Sequence, residues 1–141
     1  MKVVSLIQPW ATLIALGEKS IETRSWATKY RGEIAIHASQ TIDKTRFEQP
    51  TFKRLLKKHG ITDISQIPTG VIVAVANLVD IKTTEELKKS ISRQEKILGI
   101  YKKGRVGWVL DDIKATTPIP VRGKLGVWEY ETDITAEIIS A

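Results

Sequence analysis

The sequence predicts an α+β domain built on a mixed or antiparallel curved sheet with flanking helices. Three observations carry this expectation. Strand-like segments outnumber helical ones and do not alternate with them as regular βαβ units would. The run Val71 to Val79 is apolar at nearly every position and rich in β-branched residues, as a strand covered on both faces requires. The 141 residues contain no repeat, low-complexity tract or Pro/Gly/Ser-rich linker, so one domain spans 1–141.

The elements follow in order. Val3 to Ile7 reads as a short buried strand. Pro9 suits the first turn of a helix, where its missing donor costs nothing, and that helix runs to Leu16 with Gly17 as a left-handed cap. Lys19 to Trp26 alternates, with Ile21 and Thr23 on one side and Ser20, Glu22, Arg24 and Trp26 on the other. Gly32 to Ser39 sets Ile34, Ile36 and Ala38 against Glu33, Ala35, His37 and Ser39. Phe47, Phe52, Leu55, Leu56 and His59 recur at near-helical spacing and predict one helix over 44–59, closed by Gly60.

Thr83 with Glu86 three residues on forms a capping box for a basic helix over 83–98. Val106 to Leu110, Ile113 to Val121 and Val127 to Glu131 read as three further strands. A short terminal helix over 134–139, started by Asp133, completes the series.

Composition bounds the function. The chain has 22 Lys+Arg against 16 Asp+Glu, a net charge of +6, with 42% hydrophobic and 27% charged residues, which places it among globular chains rather than disordered ones. It has no cysteine, which removes disulfides, thiolate nucleophiles and cysteine-ligated metals, and its two histidines, His37 and His59, argue against a dedicated transition-metal site. No cofactor is expected. No apolar run reaches the ~18 residues of a membrane span, and Met1 to Ile7 lacks the pattern of a signal peptide, so a cytoplasmic location is the expectation. Residues 82–110 hold eight positive and three negative charges, whereas 111–141 hold three and six. A basic middle of this kind suits a polyanionic partner such as RNA.

The chemistry concentrates in Gln8-Pro9-Trp10 and in Gly17 to Trp26, where a cation, a carboxylate, a guanidinium and an indole follow a tight helix end. The plain alternative for Glu22 and Arg24 is a solvated ion pair worth under about 1 kcal/mol. Trp26 shares a strand face with Glu22 and Arg24 and is the stacking candidate. Trp108 and Trp128 sit among aliphatic residues as core, and Trp10 falls between. His37 and Ser39 occupy the less apolar face of their strand; a hydrogen-bonded structural role is the ordinary one for such a histidine. His59 belongs to a helix end. Lys53, Arg54, Lys57 and Lys58, with Lys88, Lys89, Arg93, Lys96, Lys102, Lys103 and Arg105, form either a solvated face or a guide for a phosphate backbone.

Gln8-Pro9-Trp10-Ala11, then Gly17-x-Lys19-x-x-Glu22-x-Arg24, then Tyr30 to Ser39 resemble the ASCH domain family, whose signature is G-x-K-x-x-E-x-R. The similarity continues through Gly70 to Val75 and from Trp108 to Gly123-Lys124-Leu125-Gly126-Val127-Trp128. The resemblance implies a PUA-like β-barrel with flanking helices and a cleft lined by the signature. It implies binding of RNA or a modified nucleoside through Trp10, Lys19, Glu22, Arg24, Trp26, His37 and Ser39. In that reading Lys19 and Arg24 meet phosphate or base edges, Glu22 accepts from an exocyclic amine, and an aromatic stacks on a base.

Two alternatives accompany it. Some family members are amidohydrolases acting on N4-acetylcytidine, and ribonuclease activity is attributed to others, which makes Lys19 and Glu22 the catalytic candidates. Glu22 stands where those amidohydrolases carry a threonine, and Glu95 is the loosely placed candidate for their distant glutamate. The other alternative is a protein-interaction or coregulator module; the oligomeric state is left open.

Overall fold

The computed structural model describes residues 1–139. Strand β1 (Lys2–Gln8) leads into helix α1 (Trp10–Ala15), followed by β2 (Ile21–Arg24) and β3 (Gly32–Ile42). Helices α2 (Lys44–Glu48) and α3 (Pro50–Lys58) precede β4 (Val71–Thr83), and α4 (Thr84–Leu87) and α5 (Arg93–Leu98) precede β5 (Val106–Pro120) and β6 (Val127–Glu129). The six strands form one sheet in the order β2-β5-β4-β3-β1-β6. β1 and β3 run parallel and every other ladder is antiparallel, so the sheet is mixed.

Register shifts between Ile72 and Ala74, Val75 and Asn77, and Leu78 and Asp80 interrupt the β4–β5 ladder. Each leaves more residues on one strand than on its partner, which bends the pair and increases its twist. The sheet rolls until its ends approach. β2 and β1 lie four ladders apart, yet Arg24 Nη1 donates to Ser5 O across the gap at 3.3 Å. The closed barrel that the resemblance implies is not reached by backbone pairing: among the described residues no ladder joins β2 to β1 or β6.

Strand alternation sorts the core into two faces. Val4, Leu6, Ile34, Ile36, Ala74, Ala76, Leu78 and Trp108 point into the roll, where Ala11 and Ile14 of α1 meet them. Val3, Ala35, Ile72 and Val75 point outward and are covered by Trp128 and Ile134. A separate cluster joins Trp10 and Leu13 to Phe52, Leu55 and Leu56 of α3 and Leu98 of α5, so the helices form a layer beside the roll.

Four elements depart from the sequence expectations. The single helix over 44–59 is two, because Pro50 disfavours helical backbone in the residue before it. Gln49 is extended (ψ 133°) and its side chain caps α3 by accepting from Thr51 N and Phe52 N. The helix over 83–98 is also two. Thr83 caps α4 by accepting from Glu86 N, as the sequence predicts, but Ser92 starts a new helix by accepting from Glu95 N. The strands over 106–110 and 113–121 are one, continuous through Asp112 at φ 47°, the positive-φ conformation an aspartate tolerates better than most residues. The terminal helix reduces to a 3-10 turn over Thr135–Glu137, although Asp133 does accept from Thr135 N.

Candidate ligand-binding site

The signature begins at the end of α1. Gly17 takes φ +78°, its N–H donates to Ile14 O at 3.0 Å, and Glu18 N donates to Leu13 O at 3.0 Å. This is the paired closure that a left-handed cap provides. The chain is then tied down from two sides. The Glu18 carboxylate accepts from His59 Nε2 at 2.7 Å and Lys58 Nζ at 2.9 Å, and those bonds hold its pKa down to about 2. Gln94 of α5 donates to Glu18 O at 2.9 Å.

Lys19 does not reach the rim of a cleft. It is 1% exposed, its ammonium donates to Ile21 O, and Glu95 Oε1 lies 3.8 Å away. Burial lowers its pKa, against the pull of Glu22 and Glu95. Glu95 in turn accepts from Ile21 N at 3.1 Å and from Ser20 N at 3.2 Å. The lysine and the α5 glutamate therefore act from beneath, fastening the first residues of β2.

β2 then delivers Glu22 and Arg24 to the seam of the rolled sheet, opposite Trp108 and Val106 of β5. Together with Trp26, Trp10, Ser5 and Arg105 they line a hollow of about 310 Å³. This is the small end of the range for small-molecule sites. The Arg24 guanidinium is 3.6 Å from the Glu22 carboxylate, 4.9 Å from the Trp26 ring centre and 5.8 Å from that of Trp108. Burial lowers its pKa despite Glu22, and its Nε is buried with no hydrogen-bond partner among the described residues. Burial raises the pKa of Glu22, against Lys19, Arg24 and Arg105. The pair is thus largely withdrawn from water and not the solvated pair of the plain alternative.

The aromatic walls are braced. Trp26 meets Trp108 edge-on at 4.9 Å, and Trp108 Nε1 donates to Trp26 O at 3.1 Å. Trp10 packs edge-on against Phe52 at 6.0 Å and spends its Nε1 on Leu98 O at 2.6 Å. Trp108 is core, as its aliphatic neighbours suggest.

The hollow also holds residues the sequence reading did not single out. Arg105 donates from Nε to Ile100 O at 3.2 Å and from Nη2 to Thr23 O at 3.0 Å, and among the described residues no carboxylate pairs with it. Asp43, which caps α2 by accepting from Arg46 N at 2.9 Å, supplies a second acid at the wall, and Ile7 and Ile100 supply apolar surface. Arg105 is visible in the sequence only as one of many basic residues. Its value comes from the step just before Val106, which pairs with Arg24.

His37 and Ser39 lie elsewhere, in an adjoining hollow of about 400 Å³. His37 is fully buried; Nε2 donates to Val121 O at 2.8 Å and Nδ1 accepts from Ser5 Oγ at 3.0 Å. Burial lowers its pKa. The structure thus brings together Trp10, Glu22, Arg24 and Trp26, sets Lys19 behind them, and separates His37 and Ser39. Among the described residues no three His, Asp or Glu side chains gather as metal ligands, and no helix is long and apolar enough to cross a membrane.

A curved mixed sheet with a braced, charged and aromatic hollow in its seam defines a small α+β domain with a cleft. Comparison with known proteins gives the family: the ASCH domain model matches residues 4–120, and the chain belongs to the ASCH domain family. Activating signal cointegrator 1 of Homo sapiens is 25% identical over 136 residues, 93% of this chain and 22% of that protein, and the Mus musculus protein of that name is 25% identical over 137. The chain spans about a fifth of the length of these relatives. The crystal structure of ASCH from Zymomonas mobilis superposes with a TM-score of 0.52 at 18% identity, covering 84% of this chain and 72% of that one, which shows a shared fold.

Proposed function

We propose that this domain binds RNA by taking one unpaired base into the seam hollow. The observation that carries this reading is the convergence of two guanidiniums, two carboxylates and two indoles on a single space of about 310 Å³. A carboxylate accepts from an exocyclic amine, guanidiniums reach base edges or phosphate, and indoles offer a surface on which an unstacked base can lie. Partial desolvation strengthens these charge-assisted bonds. The net charge of +6 supports long-range attraction of a polyanion. We also read the rolled sheet as the PUA-like barrel of the resemblance, with its seam bridged by Arg24 rather than by a ladder.

Binding ranks above hydrolysis for a physical reason. A lysine acting as base must present a free amine to its substrate. The Lys19 ammonium instead faces Ile21 O and Glu95 behind the wall.

The experiment is titration of a single-stranded RNA pool with the protein at rising salt. Binding is expected to weaken steeply with salt, and Arg24→Gln or Trp26→Ala to weaken it tenfold or more at constant fold. No binding to any RNA at low salt overturns the proposal.

A further inference from the structure

Beside the seam hollow lies the second one, of about 400 Å³, and Ser5 lines both. The Ser5 carbonyl accepts from Arg24 on the first side, while its hydroxyl lies 3.0 Å from His37 Nδ1 on the second. The two spaces are neighbours across one residue of β1.

Their chemistry differs. The seam hollow contains the carboxylates of Glu22 and Asp43. The second contains none among the described residues: its polar walls are Ser39 and Gln40 from the end of β3 and Arg122 and Lys124 from the loop before β6. Arg122 and Lys124 are exposed, and among the described residues neither pairs with an acid; Lys124 Nζ rests 5.8 Å from the Trp128 ring centre.

The cationic loop is also anchored. Val121 O accepts from the buried His37. Trp128 Nε1 donates to Ser5 Oγ at 3.3 Å, so that hydroxyl is left to donate to His37 Nδ1. A Cβ at Gly123 would stand 2.7 Å from His37 Cε1 and 3.0 Å from Ser5 Oγ, so the loop backbone lies directly on this floor and only glycine permits the approach. A partly buried Ser5–His37–Trp128 platform therefore holds two cations above a space that, among the described residues, has no acid in its walls.

Such a space fits a phosphate: two cations neutralise it, and an amide and a hydroxyl donate to its oxygens. Resting on the base-binding reading above, we infer that the second hollow seats the phosphodiester of the adjoining nucleotide. The ligand is then an oligonucleotide strand and not a free nucleoside.

The test compares a 5′-labelled RNA hexamer of random sequence, the four free ribonucleosides and inorganic phosphate, using wild type and Arg122→Gln/Lys124→Gln. Both positions are exposed, so the fold tolerates the change. The hexamer is expected to bind at least tenfold more tightly than any nucleoside. The double variant is expected to lose about tenfold for the hexamer, to lower its salt slope by about 0.7 from the one phosphate no longer neutralised, and to leave nucleoside binding unchanged. Nucleosides bound as tightly as the hexamer, or a variant that binds the hexamer like wild type, overturn the subsite and leave the base-binding reading standing. Phosphate bound as tightly as the hexamer makes the second hollow a free-anion site and overturns the strand inference. Failure of wild type to bind either RNA or nucleoside overturns both.

Discussion

Replacing Lys19 by methionine separates the structural from the ligand-binding role of the signature. The substitution keeps an unbranched stem of similar length and removes the ammonium. That ammonium is buried, donates to Ile21 O and lies 3.8 Å from Glu95 Oε1. Its loss removes the donor to Ile21 O and leaves Glu95 without its cation, while Glu22 loses one of the cations that offset its burial and keeps Arg24 at 3.6 Å. Removing one member of a buried pair costs about 3–5 kcal/mol. Glu95 retains its bonds from Ser20 N at 3.2 Å and Ile21 N at 3.1 Å, which places the expected loss at the low end. A loss of about 3 kcal/mol is a large part of a typical 5–15 kcal/mol stability. Urea unfolding followed by tryptophan fluorescence is expected to show a midpoint lower by about 1–3 M at constant slope, taking about 1–3 kcal/mol per M. Lys19→Met combined with Glu95→Gln is expected to cost less than the two singles added, by 0.5 kcal/mol or more. A Lys19→Met protein as stable as wild type but unable to bind RNA would refute the reasoning, because the ammonium would then be acting on the ligand.

Three further outcomes follow from the same geometry. A Cβ at Gly107 would meet Leu87 Cδ1 at 2.3 Å and Ile21 Cγ2 at 2.8 Å, so Gly107→Ala is expected to cost about 1–3 kcal/mol, and an unchanged melting temperature counts against the β2–β5 packing. Gln49→Ala removes the acceptor for Thr51 N at 2.8 Å and Phe52 N at 3.0 Å; thermal unfolding should register a loss of about 0.5–2 kcal/mol, and a null effect would show that α3 needs no cap. Burial holds the His37 pKa below its ordinary 6.5, so the unfolded chain binds the proton first and stability falls as pH drops below about 6.5. Urea midpoints between pH 7.5 and pH 5 should fall less steeply in His37→Gln than in wild type, and equal slopes would remove His37 from the account.

The local features legible in the sequence are those decided by neighbouring residues. Gly17 ends α1 in left-handed backbone, Thr83 caps α4, and β2 alternates Ile21 and Thr23 against Glu22 and Arg24. The errors arise where two local signals compete. Apolar spacing runs through 44–59, but Pro50 overrides it; Thr83 caps one helix, but Ser92 caps a second. Asp111-Asp112 resembles a turn, whereas the β4–β5 ladder absorbs Asp112 at positive φ.

By its own residue order the sequence determines the family signature, the α+β class and the presence of Glu22 and Arg24 on one strand face, whereas Trp26, expected on that face, lies two residues past the end of β2. Strand parity is a local property and needs no knowledge of partners. Only the tertiary structure decides that Lys19 faces inward, that Arg105 joins the hollow from the residue before β5, and that His37 and Ser39 serve a neighbouring space. Those placements depend on how far the sheet rolls, which is set by bulges between strands distant in the chain, and on which side of the seam each side chain then falls.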